Sequence, residues 1–177
     1  MIKEEIIIAG FGGQGILSAG RVLANAGLIE KRNVSWLPSY GPEMRGGTAN
    51  CSVVISDEPV ASPILNSASS LIVMNGPSLT KFENSVLEGG VIIIDSSLVD
   101  VEVKRKDVKV YKIPASKMAD EMGNVTYANI ILLGKLIAHT GVISTESFEE
   151  SLKKVLPARK HHMIPEEMEA LKMGINF

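Results

Sequence analysis

Short apolar runs alternate with segments of helical period along this chain, beginning near its start. Residues 6–9 read Ile-Ile-Ile-Ala, the unbroken run expected of a strand buried on both faces. Glycines follow. From Gln14 to about residue 31 the pattern turns helical, with Ile16, Gly20, Leu23 and Gly27 on one stripe whose small members would let a helix lie close against a sheet. "NVSWLP" (33–38) predicts a second strand, "TANCSVVIS" (48–56) a third that stops at the turn signal "DEP", and "SSLIVMN" (69–75) a fourth. Residues 77–90 open with proline and end in glycine, which predicts a helix, and "VIIIDSS" (91–97) returns to the sheet. A sixth strand is predicted over 108–115. Helices are then predicted over 116–122, about 126–139, and 145–155, the middle one apolar nearly all round and therefore buried. A last, polar helix over 165–173 is expected to close at Gly174. Strand, helix, strand is the rhythm of an α/β fold, here with a helical C-terminal third.

Composition narrows the function classes. A chain of 177 residues suits one domain spanning 1–177, and one of this size buries roughly 70% of the surface its unfolded form exposes. Charged residues make up 21% and the formal net charge is -2, so bulk electrostatics give no invitation to nucleic acid. With Cys51 as its single cysteine, the chain has no internal disulfide and too few thiolates for a zinc site or an iron–sulfur cluster of its own. The start, "MIKEEIIIAG", lacks the longer apolar stretch and cleavage site of a signal peptide, and no window reaches the ~18 uncharged apolar residues of a membrane span. The expected location is the cytoplasm, with no membrane contact.

Two phrases carry candidate chemistry. "GFGGQG" (10–15) satisfies G-x-G-x-x-G through Gly10, Gly12 and Gly15, between a predicted buried strand and a predicted helix. Glycines there permit a tight turn and close backbone approach, while N–H groups at a helix start favour an anion, so Gly12, Gly13, Gln14 and Gly15 are candidate binders of a phosphate. Gln14 could add a side-chain donor. The loop resembles the Rossmann dinucleotide fingerprint, giving a Rossmann-like three-layer α/β domain with a mostly parallel sheet. The acid that should hold the ribose, about 20 residues further on, is missing where the second strand ends in "WLPSYG". A bound NAD or FAD, a different phosphate-bearing ligand, a partner-chain contact and a purely structural turn all remain open readings of the loop.

The second phrase is "SYGPEMRGGT" (39–48). If strands one, two, four and five run parallel, their carboxyl ends gather Gly12 to Gly15, this phrase, Asn75 and Asp95 on one edge, where open α/β sheets place ligands. Arg45 offers a forked, permanently charged donor, Gly46 and Gly47 allow close approach, and Tyr40 supplies a flat face and a hydroxyl. Glu43 is placed to pair with Arg45. The alternative is a turn shaped by Pro42 and the glycines, with Glu43 and Arg45 a solvated pair worth under ~1 kcal/mol.

"GFGGQGILSAGRVLANAG", "WLPSYGPEMRGGTANCSVVIS" and "ASPILNSASSLIVMN" together resemble the gamma subunit of 2-oxoacid:ferredoxin oxidoreductases, over about residues 4–157. The resemblance implies a component of a larger complex acting on 2-oxoglutarate, a branched 2-oxo acid or pyruvate. In that family, thiamine diphosphate, its magnesium and 4Fe–4S clusters lie in partner subunits of alpha, beta and delta type. Electrons leave singly to ferredoxin, and coenzyme A takes the acyl group. Gly12, Gly13, Gln14, Gly15, Tyr40, Arg45, Gly46 and Gly47 would then face the composite active site, against coenzyme A or a neighbouring subunit, with no catalytic residue and no metal in this chain. Ser69 and Ser70 stand where family members often carry an aspartate. The wording of the second phrase favours 2-oxoglutarate or a branched 2-oxo acid. Alternatives are the small subunit of indolepyruvate ferredoxin oxidoreductase and a stand-alone nucleotide-binding module.

Four other features read as structural. His161 and His162 adjoin Glu166 and Glu167, but neighbouring histidines splay apart and no third ligand is spaced to join them. His139 is expected to cap helix carbonyls, and Cys51 to pack as a small hydrophobe. "EVKRKDVK" (102–109) reads as an exposed connection whose Lys and Arg discourage edge pairing.

Overall fold

The structure, a computed structural model, describes residues 1–40 and 48–177 and, for Tyr40, the backbone. Strands β1 (Lys3–Phe11), β2 (Asn33–Tyr40), β3 (Thr48–Ser56), β4 (Ala68–Val73), β5 (Val86–Asp95) and β6 (Lys109–Ile113) form one sheet in the order β2-β3-β1-β4-β5-β6. β1, β4, β5 and β6 pair in parallel, while β3 is antiparallel to both β1 and β2. β2 therefore points the same way as β1. Among the described strands only β3 is reversed, and the carboxyl ends of the others gather on one edge as expected.

Helices α1 (Ile16–Ile29), α3 (Ala115–Glu121), α4 (Ala128–Thr140), α5 (Thr145–Val155) and α6 (Ile164–Asn176) pack into the larger core on one face; α2 (Gly76–Phe82) and the β5–β6 connection cover the other. β1 shows why the apolar run is continuous. Ile6 and Ile8 enter the larger core, Ile7 and Ala9 the smaller, and all four are buried. The glycine stripe of α1 has the expected role: a Cβ on Gly20 would collide with Cys51 Sγ, and one on Gly27 would lie 2.9 Å from Val34 and 3.2 Å from Ile55. Cys51 is fully buried in this contact and acts as the small hydrophobe expected of it.

Two expectations fail, each at a glycine. The helix predicted over 77–90 ends at Phe82; a 3-10 turn, Glu83–Ser85, follows and β5 begins at Val86. The buried Glu83 carboxylate accepts from the backbone N–H groups of Lys104 and Arg105, and the Arg105 guanidinium donates to the carbonyls of Glu83 (3.2 Å) and Val86 (2.9 Å). This pins the chain as it turns into the sheet. Gly89 (φ 79°) and Gly90 lie inside β5, where β4 and β5 shift register, so the pair marks a strand irregularity rather than a helix end. The basic stretch 102–109 is exposed at Glu102, Lys104, Lys106, Asp107 and Lys109, as expected of a surface connection, while half-buried Arg105 is also bonded twice to Asp107 at 2.6 Å. At the other end, Gly174 does not close the last helix, which continues to Asn176. A Cβ there would overlap Ile131 O of α4, and one on Gly134 would overlap Leu171 O of α6. Each glycine serves helix contact.

Candidate functional site

The glycine loop joins the central strand to α1 and is braced from three sides. Gln14 N donates to Phe11 O at 3.3 Å to close the turn, with Gly13 at φ 93° and Gly15 at φ 74°, a region that costs little only for glycine. The Gln14 side chain folds back on the loop: its Oε1 accepts from Phe11 N (2.6 Å) and its Nε2 donates to Met74 O at the end of β4 (3.1 Å). The donor expected for a ligand is thus engaged within the protein, and Gln14 holds the loop's shape. Gly10 makes room for it, since a Cβ there would meet Gln14 Oε1. From α4, Asn129 Nδ2 donates to Gln14 O (3.1 Å) and Gly15 O (3.2 Å).

The start of α1 is left suited to an anion. Gly15 is its N-cap and has no side chain to satisfy the first-turn N–H groups, and the first turn holds no acidic residue. Gly13 is exposed at the tip of the loop. Tyr40 lies on the same edge: Gly10 of β1 is opposite Ala49 of β3, which is opposite Tyr40 of β2. Two strand spacings of ~4.8 Å separate these rows. Arg45, Gly46 and Gly47, with Glu43, fall outside the described residues; the flanking Thr48 pairs with Phe11, at the entry to the glycine loop.

Asn75 and Asp95, also expected on this edge, are turned inward. Asn75 Oδ1 caps α2 by accepting from Ser78 N at 2.8 Å. Asp95, fully buried, accepts from Ser97 N (3.1 Å), Ser116 N (3.2 Å) and Ser116 Oγ (2.5 Å), fastening β5 to α3.

Beneath the loop, between α1, α4, α5 and α6, lies a cavity of about 250 Å³. Gly13, Gln14 and Gly15 form part of its wall, Val22, Ile130, Phe148, Leu152 and Met163 line it, and exposed Lys160 stands at its rim. Glu167 lines it too. It is 7% exposed, its Oε2 has no hydrogen-bond partner, and burial pushes its carboxyl up to about 7, partly offset by the Lys160 charge. Leaving such an atom unpaired costs about 1–3 kcal/mol. Sequence reading missed both Asn129 and Glu167. A polar residue in the first turn of an apolar helix was the available signal for Asn129; an acid in "PEEME" gave none for Glu167.

Elsewhere, Ser69 and Ser70 bond Glu4 Oε2 at 2.6 and 3.2 Å and tie β4 to β1 at the opposite edge of the sheet. His139 packs edge-on against Tyr111, with Nδ1 3.1 Å from its hydroxyl, rather than on a helix carbonyl. His161 Nε2 contacts Leu156 O at 2.9 Å. Among the described residues no group of three His, Cys, Asp or Glu is placed to hold a metal ion, and no helix is long and apolar enough to cross a membrane.

A mostly parallel α/β sheet with a glycine loop between its central strand and the first helix, on the carboxyl edge, defines a Rossmann-like class of fold. The chain belongs to the pyruvate ferredoxin/flavodoxin oxidoreductase family, whose profile matches residues 5–177. It is 40% identical over 177 residues to ketoisovalerate oxidoreductase subunit VorA of Methanothermobacter marburgensis, covering 99% of this chain but 36% of VorA, so it spans about a third of that relative's length. The gamma subunit of a keto/oxoacid ferredoxin oxidoreductase from Geobacter sulfurreducens has a similar structure (TM-score 0.82, 28% identity, 98% of this chain and 96% of that one). So does part of the 2-oxoglutarate:ferredoxin oxidoreductase of Magnetococcus marinus, solved with 2-oxoglutarate, coenzyme A and succinyl-CoA bound (TM-score 0.87, 25% identity, 98% of this chain and 30% of that one).

Proposed function

We propose that this chain, one domain over 1–177, is the gamma subunit of a cytoplasmic 2-oxoacid:ferredoxin oxidoreductase acting on a branched 2-oxo acid or 2-oxoglutarate. The reaction joins a 2-oxo acid, coenzyme A and two oxidised ferredoxins to give acyl-CoA, carbon dioxide, two reduced ferredoxins and a proton. Thiamine diphosphate with its magnesium supplies the decarboxylation chemistry and 4Fe–4S clusters the electron path, in subunits of alpha, beta and delta type. The clusters do not fit this chain, which has one cysteine, buried, with its thiol pushed up to about 12.

The part left to this chain is binding. The observation that carries the reading is the side-chain-uncapped, acid-free start of α1 behind a rigid glycine loop, on the sheet edge shared with Tyr40. Gly12, Gly13 and Gly15, held by Gln14, present backbone to a phosphate of coenzyme A or to a neighbouring subunit, and Tyr40, Arg45, Gly46 and Gly47 are assigned to the same contact on their chemistry in the sequence. The test is co-purification of the chain with its partners from native extract, followed by dye reduction dependent on a 2-oxo acid and coenzyme A. Recovery of the activity supports the reading and names the 2-oxo acid. A chain that emerges alone overturns it.

A further inference from the structure

We infer that the outer edge of β6 is a docking edge for an extended acidic segment of another polypeptide, a partner subunit under the reading above, on which this inference rests. The strand ends the sheet, and no further strand pairs with it among the described residues. Asp107 O and Ile113 O accept from Gly89 N and Ser96 N on the β5 side, so by the alternation along a strand Lys109 and Tyr111 turn their backbone groups to β5 as well. Val110 and Lys112 therefore direct their N–H and C=O groups outward, a short ladder open to one more strand.

Charge selects the occupant. Residues 102–117 carry six lysines and arginines against two acids, in a chain whose formal net charge is -2. On the face of the larger core, Lys109 and Lys135 of α4 both stand over the Tyr111 ring, 5.4 and 4.6 Å from its centroid. Neither forms an ion pair among the described residues. Lys112 lies on the opposite face, in an exposed pair with Glu102 at 2.6 Å that costs little to exchange. A second copy of β6 would crowd lysines of both copies along one seam, which like charges oppose. The chain's own acid-rich stretches, 146–150 and 166–169, are already built into α5 and α6. What fits is a strand of another polypeptide with acids three residues apart. One meets Lys109 and the other Lys112 on the opposite face, while apolar residues between them lie beside Val110 and Tyr111.

Two end-blocked hexapeptides of equal charge, Thr-Glu-Val-Val-Glu-Thr and its isomer Thr-Glu-Glu-Val-Val-Thr, titrated against the full chain by calorimetry test the edge. The first is expected to bind about five-fold tighter, since only it sets an acid against each lysine. Lys112→Pro removes one outward N–H and one charge but leaves the bonds to β5, and should weaken that peptide about ten-fold while the protein still melts cooperatively. Equal affinities of the isomers, no binding of either, or tighter binding of a single-stranded oligonucleotide of the same charge overturn the edge. In the assembled complex, amide exchange at Val110 and Lys112 should slow about ten-fold relative to the free chain, with inward-facing Tyr111 as the control. The outcomes separate from those of the subunit reading. Selective peptide binding by a chain that purifies alone keeps the edge and removes the reading; an active complex whose Val110 and Lys112 amides exchange as in the free chain removes the edge alone.

Discussion

Asn129 and Gly15 lie so close that the Asn129 amide occupies the space a Cβ on Gly15 would fill, and Nδ2 donates to the Gly15 carbonyl at 3.2 Å. The same amide reaches Gln14 O at 3.1 Å. One side chain on α4 therefore fixes the last two residues of the loop that precedes α1, and the orientation of that helix start depends on it.

Asn129→Ala is expected to cost about 1–2 kcal/mol, one shared donor lost from two carbonyls, and Asn129→Asp more, because an acceptor would then face both. Gly15→Ala adds an unfavourable backbone at φ 74° to the overlap with Nδ2 and should cost about 2 kcal/mol or more. Urea denaturation checks all three. A cost under ~0.5 kcal/mol for Asn129→Asp would show that the brace does not hold the loop.

Gly134 and Gly174 are where α4 and α6 touch backbone to backbone, each facing a carbonyl of the other helix. Alanine at either forces the helices apart. A loss of about 3 kcal/mol at each is expected, with the double variant losing less than the sum, because the first methyl already opens the gap. Thermal melts of the two single variants and the double variant decide this, and strict additivity would mean that the contacts are independent.

Glu167 should make stability fall as pH rises. Its folded carboxyl, near 7, lies above its unfolded value of 4.5, so the native state holds a proton that the unfolded state releases between these values. Its stabilising contribution is complete below about 4.5 and lost as pH passes through about 7. Glu167→Gln should flatten that slope and stabilise the protein at pH 8 by about 1–2 kcal/mol, after allowance for solvent screening through the cavity. Denaturation midpoints at pH 5 and 8 for both proteins provide the measurement; parallel pH profiles would refute the assignment.

Cys51 is fully buried and its thiol is pushed up to about 12, chiefly by desolvation. Iodoacetamide at pH 8 should label it only as fast as the chain opens, and denaturant should bring labelling to the rate of a free thiol. Rapid labelling of the native protein would place Cys51 outside the α1–β3 contact.

Much of the fold was legible because it is local. The run at 6–9 has no polar face and so announced a central strand, and α5 follows its predicted bounds, 145–155, from a sharp apolar stripe capped by Ser144. Glycine was the poorer guide. Gly90 and Gly174 were read as helix ends from their φ freedom, whereas both are needed for lack of a side chain: Gly90 beside Ser69 O, Gly174 against α4. Local patterns do not distinguish these two uses.

The sequence by itself determined the α/β succession, the glycine loop between a buried strand and a helix, and the small-residue stripe of α1, since these depend on period and backbone preference over a few neighbours. Only the tertiary structure decided that β3 enters antiparallel between β1 and β2 and that Gln14 is consumed in bracing its own loop. It also brought Asn129 to Gly15 across 114 residues of chain and buried Glu167 beside an apolar cavity. Pairing and burial are set by packing between segments distant in sequence, and a carboxylate's partners, or its lack of them, exist only once those segments have met.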